Sequence, residues 1–336
     1  MGPTLFLSFV LSLSVTNGFS AKKVYKQASP GVVLILGSDG GSSGGAGTGS
    51  LITPDGKVLT NAHVVLNHDG APFKTLYVFL KPAKLTGDNA KDLTNRYRAK
   101  ILAYSSAEEL DLAIIQLQNA PSDLPTVGFA SSNEVEIGDE CAAIGHPEQG
   151  GLWTLTTGTV STLIANHGRV LNKNVFQTEA SINRGNSGGP LLNKDGKIIG
   201  INTSIARQAA DGVAITDVNF SLQSSVAMNW INQVGSHLGE AQESGQPIVT
   251  RAEELNIKDL RKEKRVSGAK SGKTAPAPKV EERIVAGRPL DLKKAKPKIV
   301  TPKRPFSLAD LRRKQMQDME DMLDDMRGFM GSGKRK

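Results

Sequence analysis

Gly185-Asn186-Ser187-Gly188-Gly189-Pro190, running into Leu191-Leu192 and an Asp195-Gly196 turn, decides how the rest of the chain is read. Glycine loses more backbone freedom on folding than any other residue, so a serine set among glycines needs a reason. An attacking hydroxyl supplies one. It needs room, and amide N–H groups beside it can face an oxygen that turns negative during acyl transfer. A plain glycine turn is the alternative for an isolated Gly-x-Ser-x-Gly. The residues after the serine narrow the choice. A nucleophile elbow requires a helix there, then an acid and a histidine further on. Here a hairpin-like sequence follows and the only later histidine is His237, so that arrangement is rejected.

The same hairpin device occurs earlier. Leu51-Ile52, Asp55-Gly56 and Lys57-Val58-Leu59 match Leu191-Leu192, Asp195-Gly196 and Lys197-Ile198-Ile199. Asp-Gly between short apolar runs is a strong hairpin signal. Further short strands are expected at Val32–Leu36, Tyr77–Leu80, Ala99–Tyr104, Leu112–Leu117, Cys141–Ile144, Thr154–Leu163 and Val175–Thr178. Many short strands between turn residues read as an all-β fold in two similar halves. Lys22–Ser29 is expected as a short helix. So is Ser224–Val234, with Val226, Trp230, Ile231 and Val234 at helical spacing. The glycine-rich run Gly37–Gly49 reads as a flexible loop. No Gly-Lys-Ser/Thr follows it, so it is not a phosphate cradle.

A serine hydroxyl is a weak nucleophile near neutral pH and needs a base within hydrogen-bond reach. Histidine titrates in the right range. A carboxylate that fixes the histidine tautomer completes the set. The chain offers His63 in Thr60-Asn61-Ala62-His63-Val64-Val65, Asp111 before Leu112-Ala113-Ile114-Ile115, and then Ser187, each at a strand end or a glycine turn. Taken singly, His63 reads as a packed or surface residue and Asp111 as a strand terminator.

Together, these three blocks resemble the signatures of the trypsin-like serine proteases. Gln177-Thr-Glu-Ala-Ser-Ile-Asn-Arg-Gly-Asn-Ser187-Gly-Gly-Pro-Leu-Leu-Asn and Gly200-Ile-Asn-Thr resemble the HtrA/Deg branch in particular. The likeness covers roughly residues 24–234. It implies two six-stranded antiparallel β-barrels (about 24–120 and 126–235) with the site in the cleft between them. It implies Ser187 as nucleophile, His63 as base, Asp111 as its orienting acid, and the amides of Gly185 and Ser187 as the oxyanion hole. It puts Ser181 at the base of the specificity pocket, where no charge can pair with substrate Lys or Arg. It also makes the strand around Phe220 and Ser221 the one that pairs with substrate backbone. Asn186, uncharged, cannot form the ion pair that activates digestive zymogens. Arg283-Ile284-Val285 then resembles an activation site only by coincidence. A catalytically silent binding or chaperone-like protein on the same scaffold is the competing reading.

Composition sets the rest. The 336 residues carry a net charge of +8, but from Arg251 onward 24 Lys and Arg face 13 Asp and Glu. The basic character therefore belongs to the tail. Cys141 is the lone cysteine, which excludes an internal disulfide and a cysteine metal cluster. No metal or cofactor is expected. Residues 1–20 read as an export signal, with an apolar run from Leu5 to Val15 and small residues before Ala21. The run has no preceding Lys or Arg, and an uncleaved, membrane-associated form is the alternative. The folded body is expected over residues 21–239, and 240–306 as a disordered basic linker. Residues 307–330 are expected as a helix with a Met-rich apolar stripe. The HtrA branch commonly carries PDZ domains after the protease, but this tail lacks their composition. Its charge suits a polyanion or an anionic surface, and its helix a partner helix, although charge runs are usually only solvated. No nucleic-acid module is present in the sequence. The expected partners are protein or peptide substrates, and oligomerisation is left open.

Overall fold

The computed structural model describes residues 18–40, 44–148, 150–205 and 218–252. Most of the export signal, the basic linker beyond 252 and the 307–330 helix lie outside the described residues. In chain order the elements are α1 (Ala21–Ala28), β1 (Val32–Ser38), β2 (Gly44–Leu51), β3 (Lys57–Thr60), α2 (Ala62–Val65), β4 (Thr75–Leu80), α3 (Asn89–Asp92), β5 (Arg96–Ser105) and β6 (Leu112–Leu117). There follow β7 (Glu140–Gly145), β8 (Thr154–Ile164), β9 (Val175–Thr178), β10 (Pro190–Leu192), β11 (Ile198–Ile205), β12 (Asn219–Gln223), α4 (Ser224–Gly235), α5 (Leu238–Ser244) and β13 (Ile248–Thr250).

Strands β5-β4-β1-β2-β3-β6 form one sheet, and the additional pairing of β6 with β5 closes it into a six-stranded antiparallel barrel. Strands β10-β11-β12-β9-β8-β7 close a second one. Closure removes exposed sheet edges, which short apolar strands would otherwise present to other chains. Each barrel has its own interior. Val33, Ile35, Leu51, Val58, Val78 and Ile115 fill the first, and Cys141, Val160, Phe176, Leu191 and Ile199 the second. A third cluster joins the outer faces, with Val32, Leu59, Ile114, Ile144 and Trp153 packed together with α1 and α4. Trp153 fixes this seam in direction as well, because its indole N–H donates to the Val32 carbonyl at 2.8 Å.

Both Asp-Gly hairpins form as expected. Gly56 and Gly196 sit at φ 92° and 65°, and β2/β3 and β10/β11 pair across them. The glycine run behaves differently from expectation. Residues 44–51 are strand β2, paired to β1 with Leu34 opposite Thr48. Its glycines permit close packing. A Cβ on Gly47 would meet Val64 at 2.5 Å, and one on Gly49 would meet Val58 at 2.5 Å. Low side-chain volume there means contact, not looseness.

The body also ends later than residue 239. α5 and β13 follow, and β13 joins β5 in parallel, with Ile248 opposite Ala103. A three-residue strand carries no periodic signal, so only its partners reveal it. The Trp230 indole N–H donates to Thr250 Oγ1 at 2.7 Å, and the Ala252 N–H to Glu109 Oε2 at 2.8 Å.

Candidate active site

Asp111 stands where the turn after β5 enters β6. Its backbone is left-handed, at φ 58°, a strained setting for a non-glycine residue. The turn is held by the Asp111 N–H donating to the Ser106 carbonyl at 2.9 Å and by Asn61 Nδ2 donating to the Asp111 carbonyl at 2.7 Å. The carboxylate is 4% exposed and fully engaged. It accepts from the His63 backbone N–H (3.1 Å), from the Thr203 hydroxyl (2.8 Å) and from His63 Nδ1 (2.8 Å). Those bonds fix the imidazole with its proton on Nδ1, leaving Nε2 as the free base. Burial alone would pull the His63 pKa down. The charge and hydrogen bond of Asp111 overcome that and raise it above its ordinary value. The His63 side chain stays 39% exposed, open toward the cleft.

Lys173, on the loop between β8 and β9, comes from the other barrel. It is 8% exposed and donates to the Ala107 carbonyl in the Asp111 turn at 3.3 Å. Burial lowers its pKa, while Asp111, Glu109 and Glu108 pull it back up. Its charge in turn opposes protonation of His63.

The serine loop is held by its main chain. The Thr48 N–H donates to the Ser187 carbonyl at 2.9 Å, and the Gly188 N–H to the Asn202 carbonyl at 2.8 Å. Gly188, at φ 81°, lies so close to Thr60 and Asn61 that a Cβ there would strike the Thr60 hydroxyl. The serine is thus pressed against the residues just before His63. No hydrogen bond joins the Ser187 hydroxyl to His63 among the described residues. Such contacts are often long without substrate and tighten on binding.

Three consecutive peptide planes then settle where the loop amides point. The Arg184 carbonyl accepts from the Glu148 N–H at 3.0 Å, and the Asn186 carbonyl from the Gly189 N–H at 3.0 Å. Between them the Gly185 carbonyl accepts from the Thr48 hydroxyl at 2.6 Å, and the Asn186 N–H donates to the Asn183 carbonyl at 2.9 Å. In a trans peptide the N–H points opposite the carbonyl. Two anchored carbonyls therefore turn the N–H groups of Gly185 and Ser187 away from those anchors, with no acceptor among the described residues. Gly185 tolerates this position because it sits at φ 90°, and any Cβ would collide with the His146 carbonyl.

The specificity residues fare unevenly. Ser181 is exposed near the serine loop, accepting from Thr156 Oγ1 at 2.9 Å through its carbonyl and from Asn183 Nδ2 at 3.3 Å through its hydroxyl. The expectation for Phe220 and Ser221 fails in one respect. β12 is hydrogen-bonded to β11 on one edge and to β9 on the other, so it has no edge left for a substrate strand. The Ser221 hydroxyl is buried and donates to Asn202 Oδ1 at 2.7 Å, while the Phe220 ring packs on His167 with centroids 4.6 Å apart. The open edge belongs to β11. β10 pairs with it only as far as Ile201, and among the described residues no strand pairs with 203–205 on the side of the serine loop. No sequence motif points to His146, Thr48 or Lys173. The nearest thing to a signal is a histidine directly after the apolar run 141–144, between a glycine and a proline.

Residues 47–201 match the trypsin-like peptidase domain. The chain is 36% identical over 189 residues to a probable periplasmic serine endoprotease, DegP-like, of Chlamydia muridarum, covering 56% of this chain and 33% of that protein. It is 35% identical over 225 residues to the periplasmic serine endoprotease DegP of Escherichia coli K12, covering 62% and 40% respectively. The chain thus spans about a third of the length of such relatives. Among solved structures it is similar to the HtrA-type protease AlgW with tripeptide, at TM-score 0.53 and 26% identity over 65% of this chain and 64% of that one.

Proposed function

We propose, from the premise that this chain carries a trypsin-like peptidase domain related to the HtrA/DegP proteases, that it is an exported serine endopeptidase. Ser187 attacks the scissile carbonyl carbon, and His63 Nε2 takes the hydroxyl proton. The carbonyl oxygen becomes an oxyanion facing the Gly185 and Ser187 amides. Collapse of that intermediate breaks the C–N bond, and His63 passes its proton to the leaving amine. Water, deprotonated by His63, then hydrolyses the acyl-enzyme. Asp111 holds the imidazole in register and stabilises the imidazolium. Losing one oxyanion donor typically costs about 2.7–4 kcal/mol of barrier.

The observation that carries this reading is the pair of unclaimed amides flanking Ser187, beside a histidine whose tautomer a buried carboxylate has fixed. A silent binding scaffold has no need of either. The substrate backbone is assigned to the open edge of β11 at residues 203–205, with Ser181 at the base of the side-chain pocket and Phe220 along its wall. An uncharged pocket base suits a small or medium apolar residue before the cut. Export is supported by the apolar stretch before Ala21 and by the periplasmic names of the relatives. A role in protein quality control is proposed from the resemblance to the HtrA/Deg branch alone.

A serine-directed fluorophosphonate should label the wild-type chain and not Ser187→Ala. Casein hydrolysis should fall by about 10⁶ in kcat in that variant, with thermal unfolding almost unmoved. A wild-type chain that neither labels nor cleaves would favour the silent scaffold. Retained cleavage by Ser187→Ala would remove the nucleophile assignment.

A further inference from the structure

His146 takes no part in the reaction above, yet it is wholly enclosed at 5% exposure behind the serine loop. Burial pushes its imidazole down to about 3, which keeps the ring neutral near physiological pH. Its tautomer follows from its neighbours. The Thr48 hydroxyl has one proton, and that proton goes to the Gly185 carbonyl at 2.6 Å. At the 2.9 Å contact with His146 Nδ1 the Thr48 oxygen must therefore accept, so Nδ1 carries the hydrogen. Nε2 is then bare, and it is buried with no partner among the described residues. The ring cannot easily turn to satisfy it, because Trp153 packs edge-on at 4.8 Å and is itself tied to Val32.

The chain of donors ends on the peptide between the two unclaimed amides. Rotating the Gly185–Asn186 plane swings both of its neighbours, and with them the N–H groups of Gly185 and Ser187. Gly185 has no Cβ to resist that rotation. External braces must do so: the Asn183 carbonyl holds the Asn186 N–H end of the plane, and the Thr48 hydroxyl is the only group on its Gly185 carbonyl end among the described residues. A hydroxyl can swivel to other acceptors. A proton donated onto its oxygen limits that freedom and directs its own hydrogen to Gly185.

We infer that His146 is a positioning residue for the oxyanion loop, acting through Thr48 on the Gly185 carbonyl. The inference rests on the serine-peptidase reading. It is tested on the full chain with fluorescein-labelled casein and a fluorophosphonate as probes. In His146→Leu, kcat and the labelling rate should drop about tenfold or more while KM stays within about twofold, the signature of support given in the transition state. His146→Asn, whose amide N–H can reach the same oxygen, should recover most of that loss. Thr48→Val should match His146→Leu, and the double variant should be no worse than either single, since both break one chain of bonds. A wild-type kcat in His146→Leu would overturn the role, as would equal losses in the Leu and Asn variants, because a ring that merely fills space predicts both to fail. If His146→Leu does not fold, Thr48→Val against Thr48→Ser decides the same question, with full activity of Thr48→Val counting against it. A wild-type chain inert to both probes would strike the peptidase reading itself, before any variant is made.

Discussion

The two barrels hold their contributions to the site by different means. The first fixes side chains. Asp111 is gripped from three directions, and it grips His63 through both backbone and ring. The second fixes a backbone. Its serine loop is tied through carbonyls and glycines, and few of its side chains are used. The difference matches what each half must supply. A base needs one tautomer and one orientation, which a carboxylate can impose. An oxyanion site needs amides in a set direction, which only neighbouring peptide planes can impose. The two halves should therefore break under different kinds of substitution.

On the proposed mechanism, the largest effect after loss of Ser187 falls on the side-chain half. Asp111→Asn keeps the shape of the acid but presents an amide to His63, which disturbs the tautomer and removes the charge that raises the imidazole pKa. A fall of about 10⁴ in kcat is expected, with unaltered KM. Steady-state kinetics on a peptide amide would check it, and a loss under tenfold would show that the Asp111–His63 bond is structural only.

The main-chain half should break through a single methyl group. In Gly185→Ala the new Cβ meets the His146 carbonyl, and φ 90° is unfavourable for alanine. The loop must shift, and the Gly185 amide shifts with it. A loss of about 10²–10³ in kcat is expected, the size of one missing oxyanion donor. The same substitution leaves the His63–Asp111 pair untouched, so the pH at which activity switches on should stay where it is. A displaced pH profile would mean that the two halves are not independent.

The reacting side chains were more legible in sequence than the backbone that positions them. His63, Asp111 and Ser187 each stand at the end of an apolar run or inside a glycine cluster, and their order is a signature in itself. The twin Asp-Gly hairpins and the helical spacing of Val226, Trp230 and Val234 were readable because turn chemistry and periodicity are local. The main-chain supports were not. A hydrogen bond from Glu148 to Arg184, or from Thr48 to Gly185, uses groups that carry no sequence label at the donor or acceptor end. β2 departs from the expected loop because glycine composition looks the same in a loose loop and in a strand packed too tightly for side chains. β12 is not the substrate-pairing strand because both its edges are already paired, which residue type does not reveal. β13 has no sequence signal, since three residues show no period.

Lys173 crosses from the main-chain half to the side-chain half, and it offers the smallest and most discriminating test. Its ammonium approaches the Asp111 turn, and its charge disfavours the imidazolium form of His63. In the proposed mechanism His63 must be neutral to accept the serine proton, so kcat/KM should rise as pH climbs through its pKa in the free enzyme. That pKa already lies above the ordinary value because the Asp111 charge outweighs burial and Lys173 together. By linkage, the Asp111–imidazolium interaction stabilises the fold below the unfolded histidine pKa, and this contribution fades as pH rises through the folded one. In Lys173→Met the apolar stem is kept and the charge removed. Glu108 and Glu109 remain near the turn and Asp111 keeps its bonds. The imidazolium should then be favoured further, moving the acidic limb of the kcat/KM profile upward by less than about one pH unit. Activity well above that limb should change little. A downward movement would mean that the Ala107 contact, not the charge, is what the lysine contributes, since a loosened Asp111 turn would weaken the carboxylate's hold on His63.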